Sequence, residues 1–184
     1  MHRKLSAPGW LLWFAASSCV AVAASGHPAH EPHVHGIAAL NIVLENHDVH
    51  LTLESPAVNL LGFEHAPVTA EQKTAFHATR QILTRPPRLF ALPGAGCQLV
   101  DSDIRMPEIH SHTDGDDGHD HHEEHADIHA NYHFQCSRIA ELNEIRIDLF
   151  AIFPGIQQIK AQWVTGRSQG TQLLTPAANR LKIK

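Results

Sequence analysis

Long apolar runs are absent after the first two dozen residues, and no later stretch could supply the roughly 20 apolar residues that a membrane-crossing helix requires. Methionine and cysteine are scarce, with 2 and 3 residues in a chain of 184. The missing thioethers argue against a copper(I) site, which is built from soft sulfur ligands. Lysine and arginine are wholly absent between residues 108 and 129, and no basic stripe occurs elsewhere, so a nucleic-acid surface is excluded. No nucleophile elbow and no phosphate-binding glycine loop is present. The run "HHEEH" fails as a zincin helix motif, because His122 follows His121 where a glutamate is needed. The expectation is therefore a protein that is not an enzyme, with a zinc-dependent hydrolase as the weaker alternative.

What is abundant is histidine, at 17 residues. The stretch "DGDDGHDHHEEHADIHANYH", residues 114–133, holds six histidines and seven carboxylates. Such a segment has too little apolar surface to form a core, and neutral imidazoles with carboxylates suit Zn²⁺, Cu²⁺ or Ni²⁺. The candidate ligands here are His110, His112, His119, His121, His122, His125, His129 and His133. The spacing of four between His121, His125, His129 and His133 would place the first three on one face of a helix. Gly115, Gly118 and the crowd of like charges oppose that helix without metal, so a long disordered loop over 108–129 is expected.

The start of the chain, "MHRKLSAPGWLLWFAASSCVAVAASG", places Arg3 and Lys4 before a short apolar run and small residues, the pattern of a secretory signal peptide over 1–24. A lipoprotein reading of Cys19 is weaker, because Ala16 stands where a large aliphatic residue is usual. A soluble exported protein is the expectation. Cleavage removes Arg3 and Lys4, moving the net charge from −5 to −7. Eight carboxylates lie within 108–129, and without them the remaining domain would carry +1. The acidity is thus a local attractor for cations.

Two cysteines, Cys97 and Cys136, remain after cleavage. In an oxidising compartment a disulfide is the simplest reading, with buried thiols or soft metal ligands as alternatives. A bridge would enclose the histidine-rich segment and is expected to staple that loop at its base.

A flexible histidine-containing arm is expected over 25–35 and a single α+β domain over 36–184. Alternation in "GIAALNIVLENHDVHLTLES" predicts a β-hairpin with Leu44 facing about Val49. An irregular connection, "SPAVNLLGFEHAP", is followed by Thr69 and Gln72 as a capping box that opens a helix ended by Arg85, Pro86 and Pro87. Further strands are expected near 88–92, 97–105, 131–138, 143–150, 157–165, 170–175 and the C-terminus, giving a mainly antiparallel sheet. The hairpin register brings His33 and His35 of "HVHG" toward the connection that carries Glu64 and His65 of "GFEH". These four form a second candidate metal site.

Taken together, "HVHGIAALNIVLE", "ESPAVNLLGFEH", "LFALPGAGC" and the acidic histidine-rich insert before "YHFQC" resemble the ZrgA-like family of periplasmic zinc-uptake proteins. The resemblance covers nearly all of the chain after residue 24. It implies zinc as the bound ion and an ABC-type uptake system at the inner membrane as the partner. A periplasmic Cu²⁺ or Ni²⁺ buffer is the alternative, since the ligand types alone do not choose among these ions.

Overall fold

The computed structural model describes residues 34–107 and 126–183, all within one compact unit spanning Pro32–Lys184. The proposed signal peptide, nearly all of the proposed arm and most of the histidine-rich segment fall outside the described residues.

The hairpin forms as β1 (Ile37–Glu45) and β2 (Asp48–Pro56), with Leu44 opposite Val49 as the alternation predicts. Asn46 takes a positive φ of 54° in the turn, a conformation that asparagine tolerates better than most residues. A short helix α1 (Ala57–Leu61) follows, where the sequence suggested an irregular connection. Helix α2 (Ala70–Leu83) begins with the predicted capping box, Thr69 Oγ1 accepting from the Gln72 amide and Gln72 Oε1 from the Thr69 amide. Strand β3 (Phe90–Ala91) precedes β4 (Cys97–Arg105) and β5 (Asp127–Cys136), and β6 (Glu144–Ile147) leads into a single helical turn α3 (Leu149–Ile152). The chain then adds β7 (Gln158–Thr165), β8 (Gln169–Leu174) and β9 (Arg180–Lys182).

Six strands form one sheet in the order β4-β5-β2-β1-β7-β8, and β3-β6-β9 form a smaller one. All pairings are antiparallel except β1 with β7. The fold is α+β with far more strand than helix. Inward residues of the large sheet, among them Leu40, Ile42, Leu51, Leu53, Ile128 and Tyr132, join one buried cluster with Leu83 of α2, Phe90, Ile145, Ile147 and Leu149. Residues two apart on a strand share a face, so the other face of the sheet is mostly polar, with Val43 beside Val164 as an exposed apolar pair on it. None of the helices among the described residues is long and apolar enough to cross a membrane.

Two expectations about the histidine-rich segment change. Strand β5 starts at Asp127, so His129 and His133 belong to the sheet and cannot share a helix face with His121 and His125. Ile128, Ala130, Tyr132 and Phe134 alternate inward within this run, and that burial dictates extended chain. The Cys97–Cys136 disulfide is present, but it joins the start of β4 to the end of β5. The 108–125 segment connects the opposite ends of these strands, roughly 26 Å away at strand rise. Strand pairing, not the disulfide, closes the base of that segment.

Candidate metal centre

One end of the large sheet carries the described residues His35 and Glu64. Strand β1 begins there, β2 ends in α1, and β4 and β5 carry the two flanks of the 108–125 segment. Pro56 lies opposite Asp127, and the Ala57 amide donates to the Ala126 carbonyl at 2.8 Å. This bond ties α1 to the returning flank of the segment. Strand β5 stands two places from β1 in the sheet, about 10 Å at ordinary strand spacing.

At this end His35 Nε2 meets Glu64 Oε1 at 2.7 Å, across 29 residues of sequence. The carboxylate is more sheltered than the ring, with side-chain exposures of 29% and 65%. The turn that aims His35 is built around Gly36, whose φ of +83° is strained for any residue with a side chain. Its carbonyl accepts from the amides of both Gln157 and Gln158, anchoring the turn to the start of β7.

The partner element is α1, and its key residue is Asn59. Asn59 is buried; its Oδ1 accepts from the Gly36 amide at 2.7 Å, and its Nδ2 donates to the Ile37 carbonyl and to Ser55 Oγ, each at 3.1 Å. Gly155 presses close behind it, where a Cβ would stand 2.4 Å from the Asn59 carbonyl oxygen. Gly62, at φ 84°, then ends α1 and turns the chain toward Glu64. One buried amide thus holds together the two segments that bring His35 to Glu64.

His65 is turned elsewhere. Its Nδ1 is 2.9 Å from the Ala66 carbonyl, its ring stacks on Phe63 at 5.4 Å, and its Nε2 lies 3.5 Å from Gln72 Nε2. Donation from Nδ1 to Ala66 makes Nε2 the acceptor, and its lone pair faces the Gln72 side-chain amide. His33, His110, His112, His119, His121, His122 and His125 lie outside the described residues. His129 stands on the outer face of β5 between Glu54 and Arg105, and His133 contacts Asp48. Among the described residues no three His, Cys, Asp or Glu side chains are already gathered as a metal centre.

The His35–Glu64 pair has half of a coordination shell in place. An ion with Zn–N and Zn–O bonds near 2.0–2.2 Å in tetrahedral geometry separates N from O by about 3.4 Å, so replacing the shared proton opens the pair by under about 1 Å. Asn59 carried no signal in the sequence, since an asparagine in a short connection reads as an ordinary turn residue.

The α+β domain thus sets an imidazole–carboxylate contact at the sheet end where the acidic, histidine-rich sequence leaves β4 and returns to β5. The chain belongs to the ZrgA family of zinc uptake proteins, whose family model matches residues 32–183. No curated protein matches the chain.

Proposed function

We propose that this chain is an exported, non-catalytic carrier that captures Zn²⁺ in the periplasm and supports its delivery to an ABC-type uptake system at the inner membrane. The carboxylates and imidazoles of 108–125 concentrate and bind the ion. His35 and Glu64, with His33 and His65 as further donors, hold one ion more selectively. The observation that carries this reading is the His35–Glu64 contact at the sheet end from which the acidic segment departs. Membership of a zinc uptake family favours zinc over copper or nickel.

The test is a calorimetric zinc titration of three forms: the chain beginning at residue 25, the same chain with 108–125 replaced by a short Gly-Ser turn, and that deletion carrying His35→Ala and Glu64→Gln. The first should bind several ions, the second about one, and the third none at that site. Weaker binding by the segment is expected because wrapping an ion costs a flexible chain conformational entropy. No zinc binding by the second form, with its circular dichroism unchanged, would leave the histidine-rich segment as the whole site.

A further inference from the structure

The outer face of the large sheet carries another set of metal-ligating side chains, near the disulfide end and away from His35. His50 on β2, His133 on β5 and Asp101 on β4 lie in one row, because His50 pairs with His133 and His133 with Asp101 in the strand register. The two imidazoles stack at a centroid distance of 4.4 Å with their planes 14° apart. His133 Nε2 also contacts Asp48 Oδ1 at 2.7 Å, and both side chains are about one-third exposed. A trough of about 290 Å³ lies over these residues, lined in part by Asp101, Asn131 and Thr52.

The charges around it are one-sided. Asp48 and Asp101 flank the imidazoles, and the nearest cation on this face of β4, Arg105, is engaged by Asp103 at 3.0 Å. Stacked imidazoles gain little stability from each other on an exposed face, and a divalent cation answers both their ring nitrogens and the surplus negative charge beside them.

The geometry points to a second Zn²⁺ site made by His133, Asp48 and His50, independent of His35 and Glu64. The ion takes the place of the proton shared by His133 Nε2 and Asp48. His50, an exposed side chain opposite His133 and two residues from Asp48 on the same face of β2, turns out of the stack to present a ring nitrogen. Directly paired Cβ atoms stand about 4.5–5.5 Å apart and diagonal ones about 7–8 Å, so side-chain rotation brings these three groups to one ion without moving the backbone. Asp101, two strands from β2, adds negative charge from the far side of His133 without binding the ion. Two imidazoles and one carboxylate leave the fourth tetrahedral position to water.

The experiment follows imidazole nitrogen resonances during zinc titration of the chain beginning at residue 25, with His50 and His133 assigned through His50→Gln and His133→Gln. The expected result is that His50 and His133 shift together, and that Asp48→Asn raises the zinc concentration needed for that shift at least tenfold while the His35 response stays unchanged. Unmoved His50 and His133 resonances at saturating zinc would overturn the site. So would a joint shift that Asp48→Asn leaves untouched. Because His35 is read separately in the same spectra, failure of either site leaves the other judged on its own signal.

Discussion

Asn59 uses one buried amide to satisfy the Gly36 amide, the Ile37 carbonyl and the Ser55 hydroxyl, and no residue of its size without the same donors and acceptors could do so. Truncation to alanine strands two backbone groups at a buried position. Each such group costs about 1–3 kcal/mol, so Asn59→Ala should destabilise the domain by about 2–5 kcal/mol in urea unfolding and weaken zinc binding at His35. Asn59→Asp keeps the acceptor for the Gly36 amide but sets a buried carboxylate oxygen against the Ile37 carbonyl, so it should cost at least as much at neutral pH. Tyr132 is a second case. Its hydroxyl donates to the Leu83 carbonyl at 2.9 Å, capping the last turn of α2 from inside the core, and burial pushes its phenol far above the ordinary value of 10. The folded state therefore keeps this proton where the unfolded chain releases it. Its contribution is complete below about pH 10 and is lost progressively as the pH rises above that value. Tyr132→Phe should remove this part of the alkaline decline while costing about 1–3 kcal/mol at neutral pH, as measured by denaturant unfolding across pH.

At the scale of elements, the hairpin and α2 were readable because their signals are local. Alternation with a two-residue turn sets the β1–β2 register, and Thr69 with Gln72 marks a helix start within four residues. Helix α1 was not readable, because five residues are too few to display a helical period. The parallel β1–β7 pairing joins segments more than 110 residues apart, which no local pattern reports. The start of β5 was hidden by its outward positions, where Asp127, His129 and His133 continue the polar character of the preceding segment. That hidden start also made the disulfide look like the clamp of the loop. Its true place predicts a separation of effects. Reduction of Cys97–Cys136, which closes a span of 39 residues, should cost about 3–4 kcal/mol in the chain-entropy treatment. Zinc stoichiometry of the 108–125 segment should nevertheless stay the same after mild reduction, because β4 and β5 remain paired at that end. Thermal unfolding and zinc titration with and without reductant check the two halves of this prediction.

For the whole molecule, the candidate site was legible as a set of residue types and only partly as a geometry. The hairpin register correctly brought His35 toward the Glu64 connection, whereas the orientation of His65 depended on Phe63 and on the cap of α2, which spacing does not encode. A carrier built on imidazoles must release its ion as the pH falls, since protons and zinc compete for the same lone pairs. With unperturbed imidazoles titrating near 6.5, affinity of the histidine-rich segment should drop steeply between about pH 7 and 5.5 in a chelator-competition titration. Equal stoichiometry at both values would mean that carboxylates alone hold the metal. The most direct test of the central claim is native mass spectrometry of the protein recovered from zinc-limited cells, with and without residues 108–125. The account predicts zinc as the bound metal in both forms, with ions lost on deletion and at least one retained until His35 and Glu64 are replaced. Copper or nickel in place of zinc, or a deletion form with no metal at all, would contradict it.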